Sequence, residues 1–87
     1  MIDSNETMVS TLKISINTMK DISNFVETAK TINAELDLKS GRYIVDATSI
    51  LGILSLDLEN PITLVYPIQV YEEVESKFKP WIVNTNK

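Results

Sequence analysis

The 87-residue chain contains no cysteine and no histidine, and only two glycines and three prolines. Without cysteine there is no disulfide and no thiolate metal site. Without histidine the commonest metal ligand and the commonest general base near neutral pH are also missing, and much ordinary catalysis goes with them. No apolar run approaches the roughly 18–20 residues that cross a bilayer. The opening M-I-D-S-N-E-T-M has neither the basic region nor the apolar region of a secretory signal, so a cytoplasmic protein is expected. Eight basic residues face twelve acidic ones, for a net charge of −4, and the basic residues are scattered. Nucleic acid is excluded as a partner because phosphate neutralisation needs clustered Lys and Arg, and a membrane surface is disfavoured for the same reason.

What is present is an ordinary globular composition, 44% hydrophobic and 23% charged. A domain near this size buries only roughly 60–65% of its unfolded surface, so one domain with a thin core is expected. It is placed over residues 9–83, with a disordered tail over 1–8 and a frayed one over 84–87. In V-S-T-L-K-I-S-I from Val9, Leu12, Ile14 and Ile16 alternate with polar residues, the period of a half-buried strand. Thr18 is positioned to cap a helix whose third residue is Asp21, and Met19, Ile22, Phe25, Val26, Ala29 and Ile32 form its apolar stripe. Ala34–Lys39 alternates again, Ser40-Gly41 signals a turn, and Arg42–Asp46 returns as the second arm of a hairpin. Asn60-Pro61 then precedes a last strand in which Ile62, Leu64 and Tyr66 share a face. The closing segment spaces Ile68, Tyr71, Val74, Phe78 and Trp81 as one helical stripe that Pro80 should end. Together these segments predict an α+β fold, a four-stranded, mainly antiparallel sheet with helices on one face.

Between the hairpin and the last strand lies T-S-I-L-G-I-L-S-L-D-L, Thr48–Leu58, with six large aliphatic residues in eleven positions. Thr48 and Ser49 are good N-cap residues, which favours a short helix over 49–55. A helix on a sheet buries one side only. If Ile53 and Leu56 turn inward, Ile50, Leu51 and Leu54 stand on or near the outer side as an apolar surface patch. Gly52 costs about 1 kcal/mol against alanine within a helix, so its presence points to close backbone approach.

The run A-T-S-I-L-G-I-L-S-L resembles the regulatory-serine helix of HPr, the histidine-containing phosphocarrier of the bacterial phosphoenolpyruvate-dependent sugar phosphotransferase system. The likeness continues upstream without a gap through E-T-A-K-T-I-N-A-E-L-D-L, Glu27–Leu38. It implies an HPr-like open-faced β-sandwich of βαββαβα order. It also matches Ser49 to the serine that a kinase phosphorylates in many Gram-positive members, and Ile50, Leu51 and Leu54 to their partner contacts. The family's phosphoryl-carrying histidine stands in a loop close to G-I-H-A-R-P, where this chain reads I-N-T-M-K-D. Thr18 falls at the histidine's place, with Lys20 for the arginine and Asp21 for the proline. A threonine hydroxyl needs an activating base to become nucleophilic, and none is visible.

The expected function is therefore a non-catalytic, HPr-like protein-binding module related to the phosphotransferase system. It docks through 49–55, is switched by phosphorylation of Ser49, and has as partner a serine kinase or regulator of that system. Two alternatives stay open: a divergent phosphocarrier with a non-histidine acceptor, and a degenerate module that homodimerises. Without the resemblance, both Thr18 and Ser49 read simply as caps. Glu72, Glu73 and Glu75 read as a solvated helix face. No residue is assigned to catalysis, a metal or a cofactor.

Overall fold

In the structure, a computed structural model that describes residues 8–83, the chain runs β1 (Val9–Ile14), α1 (Met19–Lys30), β2 (Asp37–Ser40), β3 (Tyr43–Asp46), α2 (Ile50–Leu54), β4 (Ile62–Pro67) and α3 (Tyr71–Lys77). Residues 1–7 and 84–87, within the expected tails, lie outside the described residues. Met8 belongs to the sheet's margin: its carbonyl accepts a hydrogen bond from the Ile68 N–H at 2.9 Å.

The strands form one sheet in the order β1-β4-β2-β3, and every pairing is antiparallel. Alternation decides which side is buried. Ile62, Leu64 and Tyr66 of β4 turn toward the helices with Leu12 and Ile14 of β1 and Leu38 of β2, while Thr63, Lys13 and Lys39 share the open face. The register Leu12↔Leu64↔Leu38 brings three leucines into one cross-strand row beneath the helical layer. From α1 come Ile22, Phe25, Val26 and Ala29, all buried. The helix starts as its sequence specifies, with Thr18 Oγ1 accepting from the Asp21 N–H at 3.0 Å.

Against Phe25 pack Phe78 at 4.8 Å and Trp81 at 5.6 Å between ring centroids, the second edge-on, so the end of the chain is clamped to α1 by aromatic contacts. At the other end of α1, Lys77 Nζ donates to Thr31 Oγ1 at 3.0 Å and to Glu73 Oε2 at 2.9 Å, tying α3 to the α1 terminus. Both groups are well exposed, so this link orients the helices more than it stabilises them.

Three local expectations are corrected. Met19 is 58% exposed and outside the buried stripe of α1. It is the first helical residue, and its side chain projects past the helix start instead of back over a preceding turn. The hairpin turn is Gly41-Arg42, since Ser40 pairs with Tyr43. Gly41 takes φ 62°, which glycine adopts without a Cβ penalty at the first central position of a tight hairpin turn. The closing segment is also not one helix: Ile68–Val70 and Lys79–Trp81 are 3₁₀ turns on either side of α3. A 3₁₀ turn advances three residues per turn instead of 3.6, and this change of phase swings Ile68 and Tyr71 outward. The stripe that packs on the core is Val70, Val74 and Phe78.

The Tyr66 hydroxyl is fully buried and has no hydrogen-bond partner among the described residues. A buried donor left unpaired costs about 1–3 kcal/mol. Tyr66→Phe is therefore expected to hold or raise stability, by up to about 1 kcal/mol, read as an unchanged or higher urea midpoint. A drop of that size would show that the hydroxyl is held by a partner.

Candidate functional site

The candidate surface is the outer side of α2 and the loop that leads into it. Asp46 ends β3, and its Oδ1 accepts from both the Thr48 N–H at 2.8 Å and the Thr48 hydroxyl at 2.7 Å. The backbone N–H first and the hydroxyl second hold the Asp46 carboxyl below its ordinary pKa. Ser49 N–H donates to the Asp46 carbonyl at 3.0 Å, and the chain is thereby turned off the strand and aimed back over the sheet. Ser49 is half-buried and is the N-cap: its Oγ accepts from the Gly52 N–H at 3.1 Å while its carbonyl takes the Ile53 N–H at 2.9 Å. At the far end the Ser55 hydroxyl donates back to the Gly52 carbonyl.

Within α2 the division of faces is sharp. Ile53 is fully buried and Leu56, just past the helix, nearly so. Ile50, Leu51 and Leu54 are 38%, 82% and 46% exposed. Gly52 explains how so short a helix sits so low. A Cβ at this position would lie 3.0 Å from Val45 Cβ and 3.2 Å from Ser49 Oγ, so the helix backbone rests against β3 where a side chain would intervene. The close approach expected from the glycine is thus an approach to the sheet.

Thr18, at the place matched to the absent histidine, is exposed, with its hydroxyl oxygen accepting the Asp21 bond of α1's cap. Lys20 is exposed and Asp21 half-buried, and neither forms an ion pair among the described residues. Among the described residues no three His, Cys, Asp or Glu side chains cluster as metal ligands would. An open depression of about 660 Å³ lies between the β2–β3 turn and Ser55–Asp57, and none of the expected contact residues line it. Sequence reading missed Tyr43 and Ile44, 67% and 61% exposed on β3. A run of β-branched and aromatic residues reads the same whether its strand lies inside a sheet or on its edge.

No protein-family model matches the sequence, and no curated protein matches it. Solved structures do. The chain is similar to the phosphocarrier protein HPr from Bacillus anthracis str. Ames, with a TM-score of 0.68 and 23% sequence identity over 86% of this chain and 96% of that one. It is similar to HPr-C-His from Thermoanaerobacter tengcongensis as well, with a TM-score of 0.60 and 26% identity over 83% of this chain and 96% of that one. The fold is that of HPr phosphocarrier proteins, the open-faced α+β sandwich that the sequence resemblance implies. Among the described residues no helix is long and apolar enough to cross a membrane.

Two measurements check the local architecture. Thr48→Val removes one of the two donors to Asp46, the hydroxyl, and keeps the backbone N–H, so the carboxyl pKa should rise toward the ordinary carboxylate value without reaching it, followed by carboxyl chemical shifts against pH. In the parent protein the lowered pKa gives a contribution to stability that is present above the unfolded-state value and fades as pH falls through the folded one. Gly52→Ala sets a gain of about 1 kcal/mol in helix propensity against an overpacking cost of about 1–3 kcal/mol. Val45 Cβ is anchored to its strand and yields little, so a net loss of about 1 kcal/mol is expected in a denaturant melt.

Proposed function

We propose that the chain is an HPr-like module of the sugar phosphotransferase system that binds a protein partner through α2 and does not carry phosphate at its N-terminal loop. The observation that carries this reading is the outward turn of Ile50, Leu51 and Leu54 from a helix whose opposite side is sealed to the sheet. Leu51 is the centre of the surface. A leucine left 82% exposed forgoes about 1.5–3 kcal/mol of burial, which a partner's apolar groove restores. The partner is a serine kinase or regulator of the same system, as the resemblance implies.

Phosphoryl carriage in the usual manner is absent from the reading because the chain has no imidazole. Thr18, at the corresponding place, has one lone pair committed to the α1 cap and no base within its hydrogen bonds. Its role in this reading is structural, worth about 0.5–2 kcal/mol as a cap.

Ser49 is the regulatory position. Its hydroxyl oxygen accepts the Gly52 N–H, and that bond uses a lone pair and leaves the O–H hydrogen, the atom that phosphorylation replaces, uncommitted. A phosphoserine of charge about −2 would keep an acceptor oxygen for the first turn of α2 and place strong negative charge beside the apolar patch. The fold would survive and partner choice would change.

Leu51→Lys and Leu54→Lys should each lower partner capture at least about tenfold while leaving stability within about 0.5 kcal/mol, because both side chains leave the core unaltered. Captured proteins identical in kind and amount to those of the parent chain would remove the docking claim. Incubation with ATP and a serine kinase of the phosphotransferase system, followed by peptide mass spectrometry, should place phosphate on Ser49 and on no residue of the Thr18 loop. An unmodified Ser49 would remove the switch, and acid-labile phosphate acquired from phosphoenolpyruvate would restore the phosphocarrier alternative.

A further inference from the structure

The two edges of the sheet are finished differently. At the C-terminal end of β1 the chain covers its own edge: Ile14 bridges to Ile82, the Ser15 N–H donates to the Trp81 carbonyl at 2.9 Å, and the Val83 N–H donates to the Lys13 carbonyl at 2.8 Å. Along β3 no strand stands alongside among the described residues. The Gly41-Arg42 turn is closed by the pair Ser40↔Tyr43, and in a two-residue hairpin the closing pair exchanges both backbone hydrogen bonds. The ladder alternates from there, so Tyr43 and Val45 bond to β2 while the N–H and C=O of Ile44 point away from the sheet. Natural edges are usually defended by lysine, proline, a bulge or a covering loop. Tyr43–Asp46 is only four residues long and carries one charge, Asp46, but it has no lysine, proline or bulge, and two of its three exposed residues, Tyr43 and Ile44, are large hydrophobics.

Charge adds a second asymmetry. Asp46 stands directly across from Asp37 of β2, and like charges in that relation repel. Lys39 is the diagonal neighbour but forms no ion pair among the described residues. Among the described residues the one ion pair is Lys77–Glu73, far along the chain. Thr48 occupies Oδ1 of Asp46, and Oδ2 makes no hydrogen bond among the described residues. Arg42, in the turn just before the strand, has no anionic partner among the described residues either.

We propose that β3 is a self-association edge along which two copies of this chain pair antiparallel about a twofold axis at Ile44, with Arg42 of each copy opposite Asp46 of the other. In this register Tyr43 faces Val45 of the second copy, and the outward backbone groups of Ile44 bond to each other across the axis. Each arginine meets the facing Asp37 and Asp46 carboxylates of the opposite copy, the pair that lacks a cation in the single chain. The occupant is a second copy because positive charge precedes the strand and negative charge ends it, an order that is self-complementary only when two such strands run in opposite directions. So short a strand buries far less than the roughly 800 Å² per partner of a standard interface, which makes the dimer weak and concentration-dependent. Ile44 lies on the face of the sheet away from α2, and the inference does not rest on the docking role of that helix.

Sedimentation velocity over about two decades of protein concentration tests it. The parent chain should shift from monomer to dimer, with the Ile44 amide more protected from hydrogen exchange at high concentration. Ile44→Pro deletes an N–H that the β2 ladder does not use, at the kind of edge position where proline is tolerated. It should stay monomeric with an unchanged circular dichroism spectrum. If that variant does not fold, Ile44→Lys serves in its place and should also be monomeric. Arg42→Glu should weaken the dimer about tenfold or more, and added salt should weaken the parent dimer. Leu51→Lys should leave it unchanged. A parent chain that is monomeric throughout, a folded Ile44 variant that dimerises as the parent does, or a dimer abolished by Leu51→Lys would each overturn the proposal.

Discussion

The seat of α2 on β3 is the constraint from which the character of this molecule follows. Five residues are too few for an isolated helix to persist in water. This one persists because Ser49 closes its first turn, Ser55 its last, and Ile53 and Leu56 are held in the core. Gly52 lets the backbone descend until the space for a Cβ is filled by Val45. A helix pressed that firmly onto a sheet has one inner side, and an apolar sequence must then put hydrophobic residues on the outer one. Leu51 and Leu54 are exposed because Ile53 and Gly52 are seated.

The two hydroxyls that drew attention by resemblance turn out to do the same local job. Thr18 and Ser49 each accept a backbone N–H three residues ahead, one opening α1 and the other α2. A cap role neither requires nor forbids another role, since it uses a lone pair and leaves the oxygen's proton free. The fold of HPr phosphocarriers is therefore retained in a chain that contains no histidine. A shared fold positions elements and does not by itself transmit chemistry. What this chain does has to be argued from the residues it presents, and those are apolar and unpaired.

It presents them on two surfaces with different physics. The face of α2 offers exposed side chains and suits a partner with a complementary groove. The edge of β3 offers unpaired backbone groups and a strand whose terminal charges complement a copy of itself. The two surfaces adjoin, since α2 rests on Val45 of the same strand, but Ile44 projects from the opposite face of the sheet.

Much of this was legible in the primary structure wherever a short-range rule operates. The Thr18–Asp21 cap, the alternation through β1 and β4, the hairpin, and the inward Ile53 with outward Leu51 all follow from spacings of two to four residues, the range over which backbone geometry fixes direction. The misreadings share one cause. Ile68 and Tyr71 looked like members of a helical stripe, but tertiary packing after Pro67 selected a 3₁₀ turn and changed the phase. Tyr43 and Ile44 looked like ordinary strand residues, and only strand order makes β3 an edge. Composition and local periodicity determined the elements, their caps and the absence of imidazole chemistry. Which elements would be neighbours, which edge would stay open, and how close Gly52 would come to Val45 depended on contacts between residues far apart in the chain, whose free energy is set only when the whole core is assembled.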